Sequence, residues 1–217
     1  MGDMDFSKVK ALVFGSSGFL GREICKSFSE AGAILHTPAR GELPDLRERY
    51  DAIVFAQGVN HSGSLETTTK EDLLGSFQAN TLFIIERLQT LLAEKSFADG
   101  CSVVIVSSIW QEFARKGKLP YVASKSALGG IVRALSAELA GVARVNAVLP
   151  GVIDSPMARL ALTSDQIQKI QHQTPIARLV SSGEVASLVL YLSSSASSGV
   201  NGQSVVIDGG WTSTIEV

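Results

Sequence analysis

The chain is a succession of short apolar runs and longer segments in which apolar residues recur every three or four positions. The short runs are rich in Val and Ile and lack period-two alternation, which predicts strands buried on both faces. The longer segments predict amphipathic helices, as in the spacing of Leu20, Ile24 and Phe28. The pattern predicts strands at 9–15, 33–39, 50–58, 101–108, 144–151 and 203–210, and helices at 19–32, 70–95, 120–140 and 183–195.

The regular alternation of strand and helix predicts the fold class. It is typical of an α/β protein with a doubly wound parallel sheet of the Rossmann type, about six to seven strands in a three-layer α/β/α arrangement. The 217 residues suit one domain, so we expect residues 1–217 to form a single domain.

Composition and charge limit which partners and which cellular environment we expect for the protein. Hydrophobic residues make up 45% of the chain, which fits a covered parallel sheet together with a subunit interface. The net charge of −2 argues against nucleic acid or an acidic membrane as a partner, and no apolar stretch reaches the length of a membrane span. The absence of a signal-peptide pattern and two core-like cysteines, Cys25 and Cys101, predict a cytoplasmic protein. The three histidines show no metal-ligand spacing, so we predict no metal site.

A glycine-rich turn follows the first predicted strand. The stretch "GSSGFLG" contains Gly15, Gly18 and Gly21 and leads directly into a helix. Glycines permit a tight turn and a close approach of the backbone, and the start of a helix attracts anions. In this context the turn predicts a dinucleotide pyrophosphate site, with packing alone as the alternative. Contacts are also expected from the intervening Ser17, Phe19 and Leu20.

Other strands of the predicted sheet end in residues suited to the same site. Ligands of doubly wound sheets bind at the carboxyl ends of the strands. Three predicted strands end at Gly58, at Ser107 and Ser108, and at Pro150–Gly151. We therefore expect these residues to meet in one crevice with the glycine turn.

A tyrosine and a lysine in "YVASK" stand one helical turn apart. Tyr121 and Lys125 would share a helix face, and a nearby ammonium lowers the pKa of a phenol, which is near 10 in isolation. Such a phenol could exchange a proton with a carbonyl or alcohol oxygen while a nicotinamide exchanges hydride, and the Ser108 hydroxyl could hold that oxygen. The alternative is a half-buried tyrosine with the lysine stem lying over it.

In their order and spacing, these motifs resemble the short-chain dehydrogenase/reductase family over nearly the whole chain. The single-domain ketoreductases are the closest in pattern. Besides the glycine turn and Ser108, the matching segments are "FQANTLF" with Asn80, "YVASKSAL", "RVNAVLPGVIDSPM", "TPIARL" and "NGQSVVIDGG".

The resemblance implies roles for individual residues. Tyr121 would be the general acid/base, Lys125 would tune it and bind the nicotinamide ribose, and Ser108 would orient the substrate carbonyl. Asn80 would help to hold a water that links Lys125 to solvent. After Pro150 and Gly151, the cofactor carboxamide would be held by Ile153 and Ser155.

The adenosine side departs from the family pattern. The family's Asn-Asn-Ala-Gly is replaced by "FAQG", which leaves Ala56 and Gly58 as the expected cofactor contacts there. The stretch before it is short by family standards, so we expect a compressed third strand at "ELPDL" (42–46) and a stub of helix. Asp45 is the candidate for the family's acidic residue near the adenine edge.

The residues after the second strand bear on the choice of cofactor. NAD users of the family carry an acidic residue at the end of that strand, and none occurs here before Glu42. Arg40 lies close to that point, and a guanidinium suits a 2′-phosphate. We therefore predict that NADP(H) is favoured over NAD(H), with a solvated loop charge as the alternative role of Arg40.

The residues expected near the substrate give a less specific signal than those of the glycine turn and the "YVASK" segment. Trp110 and Phe113 follow Ser108 in a loop expected to border a small-molecule carbonyl or alcohol, with plain packing as the alternative. The segment 152–181 takes the place of the family's substrate lid. The resemblance also implies a homo-oligomer, a dimer or tetramer built on helices 70–95 and 121–140, with the tail 208–217 near a neighbour.

Two other functions remain open at this point. The glycine spacing is also found in epimerases and dehydratases of the family, although no extra C-terminal region is present to hold a nucleotide sugar. A catalytically silent, redox-sensing NAD(P) binder is the second alternative. Such a protein would not need Asn80, Ser108, Tyr121 and Lys125 together, and this chain has all four.

Overall fold

The computed structural model describes residues 6–214, and within them six parallel strands form one sheet in the order β2-β1-β3-β4-β5-β6. The predicted parallel, doubly wound α/β fold is confirmed. The six strands predicted from the Val- and Ile-rich runs are present with shifted bounds, whereas the short strand expected at 42–46 is not. The strands are β1 (Lys10–Phe14), β2 (Ile34–His36), β3 (Tyr50–Phe55), β4 (Phe97–Val106), β5 (Ala143–Pro150) and β6 (Ser204–Ile207).

Helices cover both faces of the sheet. One face packs against apolar residues of the first and last long helices, such as Phe28 and Val189, and the other against residues such as Leu88 and Leu128. The helices are α1 (Phe19–Glu30), α2 (Lys70–Phe77), α3 (Phe83–Ala93), α4 (Leu119–Glu138), α5 (Pro156–Ala161), α6 (Ser164–Gln173) and α7 (Ser182–Ser193).

The strand order reverses between β1 and β3. From β1 the chain adds β2 on one side and then crosses to place β3 on the other side. The carboxyl ends of strands that flank such a reversal form the ligand crevice of this architecture. The glycine turn after β1 and the "AQG" segment after β3 are therefore neighbours.

The expected third strand at 42–46 is absent, and so is the stub of helix. The segment between β2 and β3 consists of turns and irregular chain. Pro44 has no N–H for a strand ladder, and the Asp45 carboxylate accepts hydrogen bonds from the Arg47 backbone and side chain, which favours a turn. The Tyr50 hydroxyl donates to the Asp45 carbonyl at 2.9 Å and anchors the loop to β3.

The predicted helix 70–95 is continuous but not uniform. Thr69 and Asp72 form a capping box at its start, and a π-helical turn at Gln78–Leu82 joins α2 to α3. Such wide turns are frequent at functional sites because they redirect a side chain. Here the turn contains Asn80, which is buried.

Candidate active site

The glycine turn brings the backbone of two strands into close contact. Gly15 has φ of +79°, and a Cβ at this position would lie 2.5 Å from the backbone nitrogen of Gln57. A Cβ on Gly21 would lie 2.0 Å from the Gly15 carbonyl oxygen. Gly18 is the N-cap of α1 without a side-chain cap, so the first amides of the helix are left for another acceptor. The turn is therefore shaped for an anion at the start of α1.

A cleft of about 320 Å³ opens where the strands end. Its size lies at the lower end of the range for small-molecule sites. Many of the predicted site residues lie in its wall, namely Gly18, Phe19, Leu20, Ala56, Gly58, Ser108, Trp110, Tyr121, Lys125, Pro150, Gly151, Ile153 and Ser155.

Tyr121, Lys125 and Ser108 lie together in this wall. The two helical residues share a face of α4, with the Lys125 Nζ 5.9 Å from the centre of the Tyr121 ring. Ser108 follows β4, accepts a hydrogen bond from the Trp110 backbone N–H at 3.3 Å, and lies close enough to the Tyr121 phenol to lower its pKa. The Lys125 Nζ donates to the Val106 carbonyl at 3.1 Å.

Burial dominates the protonation of both ionisable groups. It raises the pKa of the Tyr121 phenol above its ordinary value, while the nearby Ser108 hydroxyl acts in the opposite direction. Burial also lowers the pKa of the Lys125 ammonium from 10.5 to about 8. The net lowering predicted for the phenol pKa is not found, because desolvation of the phenolate outweighs the opposing effect of Ser108.

The Asn80 side chain hydrogen-bonds to the segment after β3 and to α4. Its side-chain oxygen accepts from the Val59 N–H at 2.8 Å, and its amide nitrogen donates to the Val59 carbonyl and to the Ser124 hydroxyl. Its oxygen and the Lys125 Nζ both approach Gly58, at 3.0 and 3.7 Å from where a Cβ would be. Asn80 therefore fixes the chain after β3 against α4, close to Lys125.

Comparison with known proteins identifies the family. A family model described as enoyl-(acyl carrier protein) reductase matches residues 39–212, most of the chain. The chain belongs to the short-chain dehydrogenase/reductase family. This membership places it by class among the NAD(P)-dependent oxidoreductases.

Relatives of this family member include dehydrogenases and reductases. It is 28% identical over 245 residues to 2,3-dihydro-2,3-dihydroxybenzoate dehydrogenase of Escherichia coli (strain K12), with 96% of this chain and 99% of the relative covered. It is 32% identical over 163 residues to a 3-oxoacyl-(acyl-carrier-protein) reductase of Thermotoga maritima, covering 75% of this chain and 66% of the relative.

A solved structure shares the fold of this family member. The crystal structure of a gluconate 5-dehydrogenase from Burkholderia cenocepacia J2315, in complex with NADP and tartrate, matches with a TM-score of 0.88 and 20% identity. The match covers 98% of each chain.

Several predicted site residues of this short-chain dehydrogenase/reductase do not reach the cleft wall. Gly15 and Gly21 shape the turn behind the wall rather than lining it, and Ser17 is exposed beside it. Arg40 and Asp45 lie in the loop between β2 and β3, where the Asp45 carboxylate is paired with Arg47. Phe113 is 42% exposed and lines neither this cleft nor the cavity beside it.

The residues after β5 are held by local structure. Ile153 forms a β-bridge with Val180, and the Asp154 N–H donates to the Val180 carbonyl. The Ser155 hydroxyl accepts from the Ala158 N–H and caps α5. The predicted lid segment therefore starts from a fixed point at the cleft and continues into α5 and α6.

Gln57 is a cleft residue that the sequence analysis did not single out. Its side chain lies in the wall, and both polar atoms of its amide are buried without a hydrogen-bond partner among the described residues. The Ser107 hydroxyl, which also lies in the wall, is likewise buried without a hydrogen-bond partner among the described residues. Unpaired buried polar groups are unfavourable, which indicates a polar ligand at this place. The sequence did contain a hint of this residue, because in "FAQG" a polar amide stands where the family pattern has alanine.

These features fit a dinucleotide. The glycine turn leaves no room for side chains, and the start of α1 offers amides for a pyrophosphate. Gln57, whose backbone contacts the turn, offers an unpaired side-chain amide. An ammonium carries three donors and Lys125 uses one on Val106 within the described residues, so others can bind ribose hydroxyls.

Two further properties concern residues 6–214 only. This part of the chain contains no group of three or more His, Cys, Asp or Glu side chains placed to hold a metal ion. It also contains no helix with the length and apolar character needed to cross a membrane.

Proposed function

We propose that the protein transfers hydride between NADP(H) and a small-molecule carbonyl or secondary alcohol, with Tyr121 as the general acid/base. The observation that carries this proposal is the position of Tyr121 in the cleft wall. There its phenol lies close enough to Ser108 for the hydroxyl to favour the phenolate, and it stands beside the buried Lys125, in the same cleft as the start of α1.

Each residue of the set has a role that its contacts support. The bound nicotinamide would supply or accept the hydride. Tyr121 would give its phenolic proton to the carbonyl oxygen during reduction and take it back during alcohol oxidation. Ser108 would orient the substrate oxygen, and the ammonium of Lys125 would bind the ribose and stabilise the phenolate as it forms. Asn80 would hold the backbone after β3 in place and, with a bound water, would connect Lys125 to solvent.

The raised pKa of Tyr121 favours one direction at neutral pH. A phenol with a raised pKa is almost fully protonated at pH 7, and the protonated form is the one that reduction requires. We therefore propose that carbonyl reduction is the faster direction near neutrality.

Replacement of Tyr121 by phenylalanine tests the proposal. Wild type and Tyr121→Phe are assayed with a panel of ketones and secondary alcohols by nicotinamide absorbance, and cofactor affinity is measured by titration. We expect kcat to fall by about 10³-fold or more while cofactor Kd changes little, because only the proton transfer is lost. Tyr191→Phe, an exposed tyrosine on α7, is the matched control. Normal turnover of Tyr121→Phe would contradict the mechanism. A wild type that binds cofactor and reduces nothing would favour the silent sensor.

The cofactor preference rests on the loop after β2. Arg40 is exposed there, and no carboxylate stands between Ile34 and Gly41 to pair with the ribose hydroxyls of NAD. The gluconate 5-dehydrogenase structure with NADP supports the same preference. We expect Arg40→Ala to weaken NADPH binding by about 10-fold and NADH binding much less. An equal loss for both cofactors would remove the phosphate role of Arg40.

The substrate side and the assembly complete the proposal. Trp110 lies in the cleft wall, and the segment 152–181 supplies the lid. The exposed Leu74 (57%) and Leu82 (42%), on the helix that contains Asn80, support a homo-oligomer, either a dimer or a tetramer. Trp211, in the tail expected near a neighbour, packs against Trp110 of its own chain, and residues 215–217 lie outside the described part. Light scattering at two protein concentrations measures the assembly. A cytoplasmic location stays a prediction from the sequence.

A further inference from the structure

We propose that the substrate carries a negatively charged group, a carboxylate or a phosphate, which Arg115 and Lys118 bind at the mouth of the cleft. This inference rests on the proposed function and specifies the substrate class for the same site. Both residues belong to the loop between Ser108 and Tyr121, and both lie in the cleft wall with those two residues.

The wall of the cleft is positively charged on this side. Among the residues that the structure describes, the wall contains Arg115, Lys118 and Lys125 and no aspartate or glutamate. A second cavity of about 230 Å³ shares Arg115 with the cleft, adds Lys169 from α6, and likewise has no acidic side chain in its described wall. An anion entering here would meet cations without a competing carboxylate.

The two loop cations have no acidic partner among the described residues. The Lys118 Nζ donates to two neutral acceptors, the Asn60 side-chain oxygen at 2.9 Å and the Ser62 hydroxyl at 2.7 Å. Burial, and then the charge of Arg115, lower the pKa of Lys118, so the two like charges are neighbours. A bound anion would relieve this repulsion.

Two carboxylates beyond the cleft wall, those of Asp154 and Asp208, have partners of their own. Asp154 forms an ion pair with Arg159. The Asp208 carboxylate accepts from the Gly210 N–H and from the N–H and hydroxyl of Thr212. Neither carboxylate forms a recorded ion pair with Arg115 or Lys118.

Of the two cations, Arg115 extends beyond the cleft that contains the glycine turn. The pyrophosphate would bind at the start of α1, whereas Arg115 also walls the second cavity, which contains no residue of the glycine turn. The residues common to both cavities are Trp110, Arg115, Val152 and Leu162, three of which are apolar. Trp110 and Trp211 meet edge-to-face there, with 6.4 Å between ring centres.

The chemistry of the wall defines the ligand. A guanidinium presents a planar pair of donors that matches a carboxylate or a phosphate, and the tryptophans and Leu162 suit an apolar body. The substrate class is therefore an apolar ketone, or the corresponding secondary alcohol, with an anionic group several bonds away from the reacting carbon.

A matched set of ketones tests the inference. The probes are 6-oxoheptanoate, its methyl ester and 5-oxohexyl phosphate, assayed at saturating NADPH and again at saturating NADH. We expect kcat/KM to be at least about 10-fold higher for one or both anions than for the ester, and to fall with added salt for the anions alone. The ratio of carboxylate to phosphate identifies which anion is preferred.

Loop variants assign the effect to the two cations. We expect Arg115→Gln and Lys118→Gln each to reduce the anion-to-ester ratio of kcat/KM by about 10-fold. Lys116→Gln, an exposed lysine of the same loop outside both cavity walls, is the matched control and should leave the ratio unchanged. A ratio that both loop variants leave intact would overturn the inference.

Tryptophan fluorescence provides a readout that needs no turnover. The chain contains 2 Trp, and both line the second cavity. We expect the anions to change the emission at lower concentration than the ester, and Arg115→Gln to remove that difference. If the ester is reduced and bound as well as the anions, the inference fails and the proposed function stands. If the anions bind selectively and no ketone is reduced with either cofactor, the proposed function fails instead.

Discussion

Lys125 holds a positive charge in the interior, and its replacement by methionine should make the fold more stable. The side chain is 4% exposed, its one recorded hydrogen bond within the described residues goes to the Val106 carbonyl, and burial lowers its pKa from 10.5 to about 8. Such a shift measures how strongly the folded state disfavours the charged form. Methionine fills a similar volume without a charge.

The expected gain follows from the size of the shift. A drop from 10.5 to about 8 corresponds to about 3 kcal/mol at 1.36 kcal/mol for each pKa unit. The lost hydrogen bond to Val106 offsets about 1 kcal/mol of this. At pH 7 we expect Lys125→Met to raise the free energy of unfolding by about 2 kcal/mol, or roughly 4–8 °C in Tm for a domain of this size.

The gain should depend on pH in a defined window. Because the pKa of Lys125 is lower in the folded state, the unfolded state binds more protons between about pH 8 and 10.5. The free energy of unfolding of the wild type therefore rises through that window relative to that of the variant. The full cost of burying the Lys125 charge is present only below pH 8. Urea unfolding of both proteins without cofactor, at one protein concentration and at pH 7, 8, 9 and 10, measures the difference.

Activity and a control complete the experiment. We expect the more stable Lys125→Met to have lost most of its turnover, since it cannot bind the ribose or stabilise the phenolate. Lys116→Met, at an exposed loop position, should change stability by no more than about 0.5 kcal/mol. If Lys125→Met is less stable than wild type at pH 7, or if the difference does not shrink between pH 7 and 10, the reasoning from burial is refuted.

Three further predictions concern the turn, the phenol and the unpaired amide. Gly21→Ala, whose Cβ would lie 2.0 Å from the Gly15 carbonyl oxygen, should weaken cofactor binding by more than 10-fold and cost about 1–3 kcal/mol. Gly199→Ala, with no heavy atom beyond its chain neighbours within 4 Å of the added Cβ, is the control and should change neither; calorimetric titration and thermal unfolding measure both. Because the pKa of Tyr121 is raised, kcat for alcohol oxidation should climb from pH 7 to 9 without a plateau; a plateau that begins below pH 8 would contradict the assignment. Gln57→Leu should leave stability unchanged or increase it, because it removes an unpaired buried amide, while cofactor Kd rises several-fold; unchanged affinity would show that the amide does not contact the cofactor.

The fold and the centre of the site were predictable because their signals are local. Strand and helix periods, the glycine turn and the spacing of Tyr121 and Lys125 all arise from residues within a few positions of each other. The strand predicted at 42–46 is absent because a local apolar pattern does not show whether a partner strand is available. Its apolar residues suggest a strand, but Pro44, Asp45 and the missing partner beyond the edge strand β2 make turns the better solution.

The sequence by itself determined the architecture, the family and the presence of Ser108, Tyr121 and Lys125 in one cleft. Only the tertiary structure decided the protonation of Tyr121, the unpaired state of Gln57 and the meeting of Trp211 with Trp110. It also placed Arg115, which the sequence presents as an ordinary solvated charge, in the walls of both cavities. These properties depend on desolvation and on contacts between residues that are far apart in the chain. Hydrophobic period and local spacing carry no information about either.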